Sequence, residues 1–305
     1  MEERVTSFNT LKTVLISMLP IYAYYHFSRK GLITESNISR YLLCLLALAT
    51  IMFIRKQNEL MIQTTDVEEF TNNIAYDFLQ LIPMLVFLKN KLIWQYTTLA
   101  YIVIFVLLGM KRGAILIGVL CLLYFIYQSY RIVSRKNKIR LVALVIIAIV
   151  GLSYFASDFI ASSEYFQYRM EETLEGDTSG RNVIYSSLFN HVISRDSLGS
   201  ILFGEGINHS VAIAGNYAHN DWLELAVNMG LLGILIYITY FTSLTRFTLN
   251  IKRYNRDKYV SLVLCLIVMF STTLISMSYG SLSIGITLAL GFNLTNTHSP
   301  NRIKQ

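Results

Sequence analysis

Apolar runs of about 17–25 residues recur along this 305-residue chain, the length that crosses a bilayer core as a helix. Backbone groups in lipid must find partners within their own segment, so such runs fold as helices. They lack the strict alternation of barrel strands. The chain is 54% hydrophobic and only 15% charged, with a mean hydropathy of +0.48; a soluble domain is about a quarter charged. The expected fold is therefore all-α, a polytopic membrane protein read as one membrane domain over residues 1–305. Nine candidate spans follow: 11–28, 38–54, 74–88, 92–110, 113–130, 140–157, 220–245, 258–277 and 279–294. The third and ninth are short. Pro20 and Pro83 fall inside spans, where each removes a helix hydrogen bond and is expected to kink its helix. The first span, with Tyr22, Tyr24, Tyr25 and His26, is too polar for a cleaved signal peptide.

Loop charge sets the expected orientation. Residues 131–140 carry Arg131, Arg135, Lys136, Lys138 and Arg140 with no acid. Residues 246–258 carry Arg246, Lys252, Arg253, Arg256 and Lys258 against Asp257 alone. Both are expected inside, with the C-terminal tail. Residues 158–218 hold eight acids against three arginines, so this long loop is expected outside. Counting back through nine spans then puts the N-terminus outside. That implies a miscounted N-terminal span or a start partway through a longer architecture. The net charge of +7 reflects inside loops rather than a nucleic-acid surface. Cys44, Cys121 and Cys265 all lie in apolar runs and read as free buried thiols.

The outer loop, at about sixty residues, is too long for a plain connector. It is expected to hold two short helices. The first lies near residues 162–174. The second starts after Ser179, a good N-cap, with Ile184, Leu188 and Val192 as an apolar stripe. That stripe lets the helix lie along the membrane surface.

Each residue suited to chemistry has a bland reading beside it. Lys111 and Arg112 stand at the outer end of a span and serve either as interfacial anchors or as cations beside the small residues Gly109, Gly113 and Ala114, which leave room for a diphosphate. A guanidinium suits phosphate because its planar fork donates two parallel hydrogen bonds. Arg181 sits in a helix's first turn, where the dipole disfavours a cation; it pairs with a nearby acid (Glu172, Glu175 or Asp177) or holds an anion. His219 belongs to an aromatic belt with Trp222, or takes a proton near neutral pH. Asn220 and Asp221 orient it, or cap the helix that follows. Gly204 and Gly206 mark a bend or a close backbone approach, and Glu205 between them is a solvated acid or a substrate contact. His191 and His209 share the loop; a histidine-only zinc site is conceivable, but neither is read as paired at i, i+4 with another ligand, and no metal is expected.

Lys111-Arg112-Gly113, Gly180-Arg181, Gly204-Glu205-Gly206, His219-Asn220-Asp221-Trp222-Leu223 and Gly230-Leu231-Leu232-Gly233 occur in that order around the outer loop. Together with Asn72-Asn73-Ile74-Ala75-Tyr76 and Pro83, this arrangement resembles the O-antigen ligase and O-antigen polymerase family of bacterial polysaccharide assembly. The resemblance covers roughly residues 70–290. Two departures stand out: Tyr185 replaces a tryptophan frequent after the Gly-Arg step, and the family commonly has more spans. The resemblance implies a metal-independent, cofactor-free glycosyltransferase in the bacterial inner membrane. Its donor would be a polyprenyl-diphosphate-linked oligosaccharide and its acceptor a saccharide or lipid, with membrane lipids and other polysaccharide-assembly membrane proteins as partners. Carried over, Arg112 and Arg181 would grip the diphosphate and His219 would serve the acceptor hydroxyl. Lys111, Gly204, Glu205, Gly206 and Asn220 would line the substrate site.

Polymerisation of repeat units is the leading expectation, and ligation of finished polymer the runner-up. A transporter or flippase of lipid-linked saccharides predicts related halves and acids deep in the spans. No repeat is evident, and Asp77 is the one acid well inside a span before the loop. A ligand sensor lacks a signalling domain.

Overall fold

The computed structural model describes residues 2–63, 71–88, 92–132, 180–277 and 282–295, with isolated positions between 138 and 151. Among the described residues every regular element is helical. Four helical segments are long and apolar enough to cross a membrane: Glu35–Leu60, Arg112–Arg131, Gly230–Ile251 and Arg256–Ile275. The nine expected spans are thus not all reproduced. The sixth, 140–157, and the loop residues 158–179, including the helix near 162–174, lie largely or wholly outside the described residues. So do most of the cations at 131–140.

The chain divides into two compact units, Glu35–Asp177 and Met1–Thr34 with Thr178–Gln305. Helix α1 (Glu2–Arg29) opens the chain and is one helix through Pro20.

The Glu35–Asp177 unit begins with α2 (Glu35–Gln63). The expected third span is instead α3 (Ala75–Leu79) followed by a 3-10 helix, Ile82–Phe87. Pro83 lies in the first turn of that segment, where its missing N–H is no loss. Helices α4 (Leu92–Leu108) and α5 (Arg112–Ile132) follow in the same unit. Phe105 stacks on Phe78 at 4.7 Å and meets Phe53 edge-on at 5.1 Å. Buried Asn72 ties this core together, donating from Nδ2 to Phe53 O at 3.1 Å and accepting from Ile74 N at 3.1 Å.

The other unit adds α6 (Arg181–Ile193), α7 (Leu198–Phe203), α8 (His209–Ala214), α9 (Asp221–Asn228), α10 (Gly230–Ile251), α11 (Arg256–Ile275) and α12 (Ile284–Asn293). Helix α1 packs along α12. The span expected at 220–245 is broken: α9 ends at Asn228, and α10 restarts at Gly230 with φ +62. Backbone contact causes the break. A Cβ on Gly230 would stand 2.6 Å from Gly204 N and from Ile201 O, and one on Gly204 would stand 2.5 Å from Met229 N. The end of α7 therefore wedges into the α9–α10 elbow. Outside the elbow, α10 shows apolar side chains such as Leu235, 58% exposed, and Ile236, 63% exposed. Such faces suit a multi-pass integral membrane protein, with lipid as their cover.

Lys258, counted above as a loop cation, is buried in the first turn of α11. Its Nζ donates to Phe292 O at 3.2 Å and Thr295 O at 2.9 Å. It caps the negative end of α12, which is why the fold accepts a buried ammonium there.

Candidate functional site

Arg112 is the first residue of α5 and is half-buried. Met110 before it has φ 53, and Ile115 N closes the first turn onto Lys111 O at 3.0 Å. Gly109 leaves no room for a ligand here. A Cβ on it would stand 2.7 Å from Ala75 Cβ, and its carbonyl accepts from Asn72 N at 2.9 Å. Its small size seats α3.

Arg181 opens α6 after Gly180, which takes the N-cap in the left-handed region at φ 73; Ser179 lies outside the described residues. The guanidinium does not face free solvent. Its Nη1 donates to Ile275 O, the last residue of α11, at 3.0 Å. A cation at the positive end of α6 is thus relieved by the negative end of α11. The Ile184-Leu188-Val192 stripe is taken up inside the protein. Leu188 is buried with Ala218 and Val227, and Ile184, Tyr185 and Val192 pack around them. That corrects the expectation of a stripe turned to the membrane surface: α8 and α9 cover it.

His219 is half-buried with φ 51, a conformation that costs a non-glycine residue about 1–3 kcal/mol and needs outside support. Its neighbours supply that support. Ala218 N donates to Glu224 Oε1 at 2.6 Å. On the other side, Asn220 Oδ1 caps α9 by accepting from Trp222 N at 3.0 Å and Leu223 N at 3.2 Å. Asn220 Nδ2 reaches Leu274 O at 3.4 Å, and Trp222 Nε1 donates to Thr273 Oγ1 at 3.0 Å. Buried Glu224 also accepts from Ser210 Oγ at 2.5 Å and from Asn228 Nδ2 at 3.0 Å. Buried Asp221 accepts from Tyr237 OH at 2.7 Å. Every acid of α9 thus works inside the fold.

The Gly204-Glu205-Gly206 turn is held by backbone bonds from Glu205 N to Val227 O at 3.1 Å and Gly206 N to Asn228 O at 3.0 Å. Gly204 meets the elbow backbone, whereas a Cβ on Gly206 would meet nothing within 4 Å. Glu205 is no solvated acid. Arg195 Nε donates to its Oε1 at 3.1 Å, while His191 Nε2 and His209 Nε2 each lie 2.7 Å from its Oε2. Burial raises the Glu205 carboxyl. The His191 hydrogen bond and the charges of Arg195, His191 and His209 outweigh burial and hold it below the usual carboxylate range. Arg195 also donates to Ala226 O at 2.8 Å and Val227 O at 2.9 Å.

An apolar cavity of about 760 Å³ lies under the elbow, walled by Tyr22, Tyr25, Met229, Ile236, Tyr237 and Met269 among others. Tyr237 links it to the head of α9 through Asp221.

Arg181 and the His219–Asn220 step are therefore brought to the same end of α11. Arg112 and Lys111 belong to the other unit. Sequence reading missed Glu224, Arg195 and the grouping of His191 with Glu205 and His209. The spacing of Glu205 and His209, four residues apart, was a usable signal; the reach from His191 to Glu205 was not.

Residues 97–238 match the Wzy_C family model, described as O-Antigen ligase. The matched stretch runs from α4 into α10 and includes Arg112, Arg181, Glu205 and His219. The matched stretch is just under half of the chain and marks a likeness to the O-antigen ligase family. No curated protein matches the chain.

Proposed function

We propose that this chain transfers a saccharide from a polyprenyl-diphosphate donor to a saccharide acceptor, polymerising surface or capsular polysaccharide on the outer face of the inner membrane. The observation that carries this reading is the shared anchorage of Arg181 and Asn220 on Ile275 O and Leu274 O, which brings the Arg181 guanidinium and the residue next to His219 to one helix end.

Breaking the anomeric C–O bond builds negative charge on the departing diphosphate. Arg181, with one of its donors fixed on a carbonyl, keeps others for phosphate oxygens. A preorganised donor of this kind lowers the barrier by about 3–4 kcal/mol. His219 takes the proton of the attacking hydroxyl, for about 10²–10⁴-fold. The guanidinium meets the leaving-group charge in these steps, and no metal is invoked. The apolar cavity beside Tyr237 offers room for a prenyl chain.

The likeness to the O-antigen ligase family favours a second reading, ligation of finished polymer to a lipid acceptor. Complementing a deletion strain with the wild-type gene separates the two. A ladder of lengthening polymer that disappears in the deletion supports polymerisation. Intact lipid-linked polymer that accumulates without attachment supports ligation. Normal polymer and normal attachment in the deletion would exclude both.

A further inference from the structure

We infer that His191, Glu205 and His209 form a binding site for a divalent transition-metal ion of the zinc class, fastening the extramembrane segment. Their ligand atoms, two Nε2 and one carboxylate oxygen, all lie within 4.8 Å of one another. Two imidazoles with one carboxylate select zinc-like ions over calcium or magnesium, which prefer oxygen alone.

The ligands come from the end of α6, the glycine turn and the start of α8, and the turn and α8 are joined by His209 N donating to Gly206 O at 3.3 Å. His191 projects from the last turn of α6, which packs through Leu188. Glu205 is fixed by its own N–H on Val227 O. His209 begins α8, after Asn208 at φ 69. The second carboxylate oxygen of Glu205 is taken by Arg195, whose side chain is 3% exposed. That contact leaves Oε2 aimed at the imidazoles, the outer support a metal-bound carboxylate normally has. The side chains of His191, Glu205 and His209 are 33%, 21% and 38% exposed, enough to admit an ion and its waters.

The present spacing is that of hydrogen bonds, with both Nε2 atoms 2.7 Å from one oxygen. Tetrahedral ligands about 2.0 Å from zinc stand about 3.3 Å apart, so each Nε2–Oε2 pair must open by roughly half an ångström, and the two Nε2 atoms, now within 4.8 Å of each other, must settle at the same spacing. Each neutral imidazole then carries its proton on Nδ1 and offers the Nε2 lone pair. Waters complete the shell. This goes beyond the transfer reaction and does not depend on it, because its readout is the metal itself.

The test uses the full-length chain in detergent, purified without a histidine tag and stripped with chelator. Co²⁺ is titrated and followed by its visible absorption, and bound Zn²⁺ is counted by elemental analysis. The structure predicts one equivalent per chain and a higher unfolding midpoint with Zn²⁺. H191Q and H209Q keep an N–H donor for Glu205, so a cluster that is only hydrogen-bonded survives them. As metal ligands they should weaken binding by more than the roughly 10–100-fold that loss of an outer partner costs. H26Q, a histidine elsewhere, should bind as wild type does. No stoichiometric metal on the wild-type chain, or unchanged binding in both glutamine variants, would overturn the inference.

Discussion

Arg181 and Asn220 donate to successive carbonyls of one helix end, Arg181 Nη1 to Ile275 O at 3.0 Å and Asn220 Nδ2 to Leu274 O at 3.4 Å. Asn220 has a second task, since its Oδ1 caps α9. The two tasks separate by substitution. Asn220→Asp keeps the acceptor for the cap but loses the donor to Leu274. Asn220→Ala loses both, at about 1 kcal/mol for the cap. The expected result is near-normal thermal stability but reduced polymer for the Asp variant, and loss of both for the Ala variant. Full activity of Asn220→Asp would show that the link to α11 is dispensable.

Glu224 positions the backbone beside His219. Glu224→Gln can still accept from Ala218, but its amide then faces the Asn228 amide, a donor against a donor. Leaving one buried group unpaired costs about 1–3 kcal/mol. The unfolding midpoint should fall measurably in a thermal melt, with polymer output falling alongside it. An unchanged midpoint would mean that the contacts of Glu224 with Ser210 and Asn228 are dispensable for stability.

The two glycines around Glu205 should behave differently. Both have positive φ, so alanine strains either. Only at Gly204 does the added Cβ strike backbone, 2.5 Å from Met229 N. Gly204→Ala should sharply reduce folded protein in membranes, and Gly206→Ala much less. Equal loss from both would argue that the elbow contact is soft.

Topology is open to labelling. In a variant lacking Cys44, Cys121 and Cys265, an impermeant thiol reagent applied outside should reach Asp177→Cys but not Lys136→Cys. The expectation rests on the cation asymmetry of the loops. Labelling in the opposite sense would place the candidate site on the wrong face of the membrane.

Local features of this chain were readable in advance; contacts between distant residues were not. The start of α5 at Arg112, the cap at Asn220 and the Ile184-Leu188-Val192 stripe follow from short-range pattern. The partner of that stripe does not, because amphipathic spacing marks a buried face without saying what buries it. The elbow at Met229-Gly230 was hidden inside an apolar run. It forms because Gly204, distant in sequence, lets two backbones touch. Glu224 carried no signal in the sequence, since nothing local shows that Ser210 and Ala218 will meet it.

The most direct test of glycosyl transfer through Arg181 and His219 is release of polyprenyl diphosphate. Membranes from a deletion strain carrying its own lipid-linked donor would be assayed with the wild-type chain, Arg181→Lys and His219→Ala expressed at equal levels. Lysine keeps the charge but loses the planar fork, and alanine removes the base. The proposed reaction predicts polyprenyl diphosphate release with the wild type. Arg181→Lys should lower it roughly 10²–10³-fold, the usual effect of losing one preorganised donor. His219→Ala should lower it by about 10²-fold or more. Near wild-type release from both variants would contradict the assignment of these residues to the reaction.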